Sequence, residues 1–522
     1  MRTKGVRGCA KLGASARPAG ALELKVPMSS AATEGKPAPR KPSVLRQMCA
    51  VRPVDTQESA DKSRLKQVLG PWALTSIGLG ATIGTGIFVL TGQVAATQTG
   101  PAITLSLLIA AFGSMLAALC YSEFAAFLPV PGSAYRYTYA TLGEALAWFI
   151  GWNLLLEYAI SASTVAVSWS AYVVNLLEEA HIHLPAALVN APLGVDAHDH
   201  LMHTGAVVNV PAVLIVLAMT WVLYVGVRES ASANTLMVTL KVAIILIVVI
   251  AGLKFINPAN FHPYVPPNTG TFGHFGVSGV LQGAGIIFFS YVGFDTASTM
   301  ALEARNPQRD LPLGILGALA ISALLFIAMS TVLLGMMPYH KLNVAAPVAV
   351  AIDAHPQLAW LSWPVKLGVI AGMTSVILTS LLGQPRILLS MADDGLLPTS
   401  MGKCHPRYKT PHVSTVITGI GAAAIAGIFP LDVLADLVSI GILLAFGVVC
   451  LGVLVLRYTR PDVRRPFRVP FAHFTCILGF LVCCGLTLTL SNGTWIRLLV
   501  WTVIGMSIYA AYGFRNSRLR PK

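Results

Sequence analysis

The chain has 522 residues, of which 55% are hydrophobic and only 11% charged, with a formal net charge of +14. Soluble domains carry about 25% charged residues, so this composition, with a mean hydropathy of +0.70, excludes an ordinary soluble globular protein and places the chain in a membrane. The surplus of Lys and Arg invites a nucleic-acid reading, which the distribution of those residues along the chain excludes below.

Residues 1–66 are rich in Ala, Pro, Ser, Lys and Arg and have almost no apolar periodicity, the composition of a disordered extension. Residues 67–515 read as the membrane domain and 516–522 as a short polar tail. Leu65, Val68 and Leu69 form an amphipathic lead-in, and Pro71 opens the first apolar run, where its missing N–H costs nothing. Runs of membrane length recur about twelve times, at 72–97, 102–127, 143–177, 207–226, 234–255, 277–301, 312–336, 363–391, 412–429, 433–456, 471–490 and 495–514. The first is interrupted by Gly84-Thr85-Gly86-Ile87-Phe88 and the sixth by Ser290-Tyr291-Val292-Gly293-Phe294-Asp295. A lipid-exposed break leaves backbone groups without partners, at several kcal/mol each. Such breaks survive beside a cavity, and a matched pair of them marks the binding site of a secondary transporter.

The chemistry of the breaks follows from helix ends. The half-helix that starts at the first break offers free N–H groups on Thr85, Gly86 and Ile87 and a positive dipole end, which suit a carboxylate. Gly84 and Gly86 allow close approach to the backbone. The carbonyls of Ile83, Phe289, Ser290 and Tyr291 are candidates for an ammonium group, with Gly293 at the turn of the second break. The bland alternative for Gly80 and Gly84 is small-residue helix packing, and for Phe288, Phe289, Tyr291 and Phe294 ordinary aromatic packing in place of a gate. Lys241 lies about seven residues, roughly 10 Å, into the fifth run. A lysine there costs about 2.5–3.5 kcal/mol on the permissive insertion scale; it is either a proton-carrying group or a snorkelling interfacial lysine. Glu157, deep in the third run, contacts a cationic substrate, moves protons or pairs with another helix. Asp295 reads as a cap on the half-helix that follows it.

With the N-terminus inside, the inner connections hold Arg136, Arg228, Arg305, Arg309, Lys403, Arg407, Lys409, Arg457, Arg460, Arg464, Arg465 and Arg468, whereas the outer ones hold little beyond Lys254, Lys341 and Arg497. This positive-inside pattern puts both termini in the cytoplasm, so the basic charge is a signal of topology. None of the eight cysteines falls in a predicted outer loop, and no disulfide framework follows. Asp196, His198, Asp199, His200 and His203, with His181 and His183, are metal ligands by type, but read as a solvated polar loop, and no metal is expected.

Leu79-Gly80-Ala81-Thr82-Ile83-Gly84-Thr85-Gly86-Ile87-Phe88-Val89-Leu90-Thr91-Gly92 resembles the first span of amino-acid permeases of the amino acid–polyamine–organocation superfamily, nearest the cationic amino acid transporters and their bacterial relatives. So do, in the same order, Pro131-Gly132-Ser133-Ala134-Tyr135-Arg136-Tyr137, Gly151-Trp152-Asn153 through Leu156-Glu157-Tyr158, Val292-Gly293-Phe294-Asp295, Asn306-Pro307-Gln308-Arg309-Asp310-Leu311-Pro312 and Asp394-Gly395-Leu396-Leu397-Pro398. The resemblance implies an all-α polytopic fold of about twelve helices, a 5+5 inverted repeat with helices 1 and 6 broken and two helices appended. It implies that Lys241 takes the place of the sodium of related carriers, bracing the first and eighth spans, and hence proton coupling. By the same analogy Met373 and Thr374 border the side-chain pocket. The chain departs from the family pattern at Asn153, Leu302-Glu303, Gln384-Pro385-Arg386 and Asp393.

The expected function is secondary active transport of an L-amino acid across the cell (inner) membrane by alternating access, with proton symport and no cofactor. The alternatives are an amino acid or cationic-metabolite exchanger and a non-transporting sensor or membrane enzyme. An enzyme calls for a clustered nucleophile–base or His/Asp/Glu set within the spans, and no His falls in the predicted runs.

Overall fold

Every predicted apolar run is helical in the computed structural model, which describes residues 48–51, 69–128, 133–195, 201–225, 231–301, 303–405 and 410–519. The expected extension 1–66, the lead-in at Leu65 and Val68, and Asp196, His198, Asp199 and His200 lie largely or wholly outside these residues. Among the described residues, eight helices are long and apolar enough to cross a membrane, including Glu144–Glu179, Pro307–Met336 and Leu431–Thr459. The shorter apolar helices Val210–Val225, His412–Ile428 and Ala472–Leu488 supply the fourth, ninth and eleventh spans. The protein is therefore an all-α multi-pass membrane protein.

Its outward surface fits that solvent. Leu236, Ile250, Leu324 and Leu488 are each at least 66% exposed, which a bilayer tolerates and water does not. Between helices there is little hydrophobic driving force in lipid, so close packing and buried polar contacts carry the assembly. The third and eighth spans (Glu144–Glu179 and Ala359–Asp393) pack along much of their length, and the seventh lies against the first and second.

Polar ties close both ends of this bundle. On the arginine-rich face, buried Glu123 of the second span accepts from Arg457 Nη2 (2.5 Å) and Nε (3.2 Å) and from the Val469 N–H (2.8 Å). The Arg465 guanidinium adds an ion pair at 3.4 Å. The Ser133–Tyr137 stretch opens a short helix, Ser133–Thr141, whose Tyr135 hydroxyl donates to Asp394 at the end of the eighth span (2.7 Å). Asp310 caps its own helix by accepting the Asn306 N–H at 3.1 Å. On the opposite face, the predicted outer loop carries a small hairpin, Leu193–Val195 paired antiparallel with Leu201–His203, and a further helix, Pro347–Asp353. Lys366 there holds Glu179 and Asp353 together, each at 2.8 Å.

Candidate substrate site

Both breaks are present, and both differ in detail from the sequence expectation. The first span runs as Pro71–Thr82, ends at Ile83 in extended backbone, and restarts at Thr85. Only Ile83 and Gly84 leave the helix; Gly86–Leu90 then forms a wide π-helical turn, of the kind that recurs at functional sites. The first bond of the new half-helix runs from the Phe88 N–H to the Gly84 carbonyl at 3.4 Å, so the N–H groups of Thr85, Gly86 and Ile87 precede it, as helix ends require. In the sixth span, Gly276–Ile287 tightens into a 3₁₀ turn at Phe288–Tyr291, and Val292 is extended. Gly293 then takes φ = +118° and the second half is a single turn, Thr296–Thr299.

The breaks touch. A Cβ on Gly86 would lie 2.7 Å from the Ser290 Cα, and one on Gly293 would lie 2.7 Å from backbone atoms of Ala81 and Thr82. The two glycines thus let one broken backbone seat against the other, and at Gly293 the positive φ adds a second reason for glycine.

Between them lies a cavity with a water-accessible volume of about 30 Å³. Gly84, Thr85, Gly86, Phe289, Ser290, Gly293 and Glu157, all expected from the sequence, line it. The hydroxyls of Thr85 and Ser290 are buried with no hydrogen-bond partner among the described residues; one comes from each break. Glu157 and Asp295 both line the cavity. No ion pair or hydrogen bond of the Glu157 side chain is found among the described residues, whereas Asp295 Oδ2 accepts from Ser133 (3.4 Å) and from the Tyr158 hydroxyl (3.5 Å). Asp295 stands at the N-cap position but makes no side-chain cap bond. The expected capping role is therefore corrected: its carboxylate is turned toward the third span and the Ser133 helix.

Several expected residues lie elsewhere. Met373 and Thr374 do not line this cavity; Val376, Thr379 and Ser380, up to two turns further along the same helix, do. Met373 is buried in the core, and Thr374 accepts from Trp169 Nε1 at 3.0 Å. Tyr291 turns away, its hydroxyl donating to the Leu107 carbonyl (3.0 Å) with its ring against Phe326. Ile83 and Ile87 are buried outside the lining. Lys241 does not snorkel: it is 1% exposed, and its ammonium donates to the carbonyls of Gly80 (2.7 Å) and Ile83 (3.2 Å). Its stem packs on Gly372 of the eighth span, where a Cβ would meet it at 3.1 Å. The Ile83 carbonyl, expected to face a ligand's ammonium, thus already serves Lys241. Tyr158, Ser161 and Val165 were not singled out from the sequence; Ser161 and Val165 follow Glu157 at i+4 and i+8, so the face of Glu157 was the available signal.

Broken spans that meet at a cavity, with hydroxyls that have no partner among the described residues, define a secondary transporter. The particular kind follows from comparison with known proteins. A family model described as "Amino acid permease" matches residues 69–509, and the chain belongs to that family. It is 42% identical over 469 residues to a methylthioribose transporter of Bacillus subtilis, covering 90% of this chain and 98% of that relative. It is 40% identical over 480 residues to the branched-chain amino acid permease BcaP of the same organism, covering 92% and 99%. The vacuolar cationic amino acid transporter 4 of Arabidopsis thaliana is 37% identical over 399 residues, covering 76% of this chain and 64% of its own length.

Proposed function

We propose that the chain carries a neutral L-amino acid with a small or aliphatic side chain together with a proton, with its arginine-rich face toward the cytoplasm. The observation that carries this reading is the meeting of the two breaks at one cavity, with the Thr85 and Ser290 hydroxyls left without partners among the described residues. The substrate carboxylate takes the N–H groups at Thr85, Gly86 and Ile87, and its ammonium faces the second break. The side chain sits among Ser161, Val165, Phe289 and Val376, a lining without a basic group. BcaP, by its name a carrier of branched-chain amino acids, supports the aliphatic reading.

Charge balance supports the proton. Two carboxyl groups, Glu157 and Asp295, share a small buried cavity, and buried charges require compensation. A proton neutralises one of the two for a neutral substrate; a cationic side chain offsets one for a basic substrate. The second reading, transport or exchange of cationic amino acids, rests on this same pair. Because the relatives are transporters, we read the chain as a carrier and not an enzyme. The test is a thermal-shift screen of the twenty amino acids, then proteoliposome uptake of the stabilising ones with and without a pH gradient. Stabilisation by Leu, Val or Ala is expected, with uptake driven by inward acid-to-neutral gradients and abolished in Lys241→Ala. Undiminished gradient-driven uptake by Lys241→Ala defeats the coupling role; stabilisation by Lys and Arg alone defeats the neutral substrate.

A further inference from the structure

The face opposite the arginine-rich connections holds a second cavity, of about 710 Å³, which shares no lining residue with the central one. Its walls come from the last turns of the third span, the segments 186–194 and 204–206, residues 344–346 and 350, and Pro430-Leu431. The size is that of ordinary small-molecule sites, and an order larger than the central space.

The lining chemistry is lopsided. Glu178 is the one charged residue that lines it among the described residues, and no lysine or arginine does. Among the described residues the Glu178 carboxylate has neither ion pair nor hydrogen bond, whereas its neighbour Glu179 is held by Lys366 at 2.8 Å. Asn175 lies one turn earlier on the same helix, so the two side chains share a face. Its Oδ1 is buried and has no hydrogen-bond partner among the described residues. Glu178 is exposed and hydrated, and the buried Asn175 Oδ1 is a second acceptor on the same face. Much of the remaining wall is aliphatic, including Val174, Ala187, Val344 and Leu431, with Asn190, Thr204 and Asn209 as further polar groups.

A ligand suited to this site brings a positive charge, N–H donors and methylene groups, and needs no carboxylate, since nothing basic among the described residues lines the cavity to receive one. We propose that this vestibule is a separate binding site for alkylammonium solutes, lying outside the central cavity. Along the stretch of the third span that lines the vestibule, Tyr172 donates to the Phe88 carbonyl at 2.9 Å, a contact between the third span and the restarted half of the first. The proposal stands whatever side chain the central cavity accepts.

The probe is 1,5-diaminopentane, which has no carboxylate for the N–H groups of the first break; 1-pentanol is the neutral control. Binding is measured by calorimetry on the full-length protein in nanodiscs. The diamine is expected to bind and the alcohol not, with affinity falling as salt rises, as for a partly exposed charge. Glu178→Gln should weaken the diamine at least tenfold and Asn175→Asp should tighten it, whereas Gly86→Ala, in the central site, should leave it unchanged. No diamine binding, or binding equal in Glu178→Gln and lost in Gly86→Ala, overturns the proposal. The latter result would place the amine in the central cavity and leave the reading of that site intact.

Discussion

Replacing Gly86 by alanine tests the contact on which the site depends. The new Cβ would lie 2.7 Å from the Ser290 Cα, with the Ser290 Cβ and Oγ closer still. The serine hydroxyl can rotate away, but its Cα and Cβ move only with the backbone of the second break. Bringing the Ser290 Cβ, 2.4 Å away, to an ordinary carbon–carbon separation moves the two breaks apart by roughly 1.1 Å, for a target of about 3.5 Å. Overpacking of this kind costs about 1–3 kcal/mol. If the whole cost falls on the binding-competent arrangement, affinity drops about 5- to 150-fold, at 1.4 kcal/mol per tenfold. The assay is substrate titration of purified protein, by calorimetry or ligand-induced thermal shift, alongside initial uptake rates. Gly421→Ala is the control, because its Cβ would meet nothing within 4 Å. A Gly86→Ala protein that binds and carries substrate like the parent would refute the idea that the breaks must touch to form the site.

Lys366→Met removes both 2.8 Å contacts that join the third span, the Pro347–Asp353 helix and the eighth span. The acids it leaves are partly exposed, so the loss is about 1–2 kcal/mol. A cysteine placed at Ser380 should then react about 5-fold or more faster with an impermeant thiol reagent applied to the arginine-poor face; an unchanged rate would remove the tie from any gating role. Glu123→Gln strips the charge that Arg457 and Arg465 surround, and breaking such a buried cluster costs about 3 kcal/mol. Its unfolding midpoint should fall by several degrees while uptake per folded molecule holds; an unaltered midpoint would mean that the arginines find water instead.

How far the sequence reached depended on the kind of signal. The breaks were legible because glycine and polar residues inside a lipid-length run are costly unless a cavity receives them. Lys241 was legible for the same reason, since an ammonium at that depth needs partners; that the partners are the Gly80 and Ile83 carbonyls was not, because backbone acceptors leave no mark in a sequence. The register of the eighth span was misplaced at Met373 and Thr374. A helix apolar on most sides has no polar stripe to show which face turns inward, and the lining at Val376, Thr379 and Ser380 emerges only from packing. The role of Lys366 was illegible because its partners, Asp353 and Glu179, lie 13 and 187 residues away in chain order, and only the folded chain brings the three together.

Under the proposed function, the position of Lys241 gives the first break a reason to favour one end of an amino acid. A broken helix exposes two opposite partial charges, carbonyls on the half that ends and N–H groups on the half that begins. Left alone, such a break would bind anions and cations with little preference. Lys241 occupies the carbonyl side, at Gly80 and Ile83, and leaves the N–H groups of Thr85, Gly86 and Ile87 for a ligand. On the proposed reading the first break is then an anion site, and the cationic group is met across the cavity by the second break and by Glu157 and Asp295. A change at Lys241 therefore acts on two functions at once: it removes the buried positive charge that braces the first break, and it restores a competing cation site at the Ile83 carbonyl. Substrate carboxylate affinity and proton coupling should fail together in Lys241→Ala, whereas Glu157→Gln should uncouple the proton while the carboxylate contact survives. Amino-acid binding that persists in Glu157→Gln and disappears in Lys241→Ala is the pattern this division of labour requires.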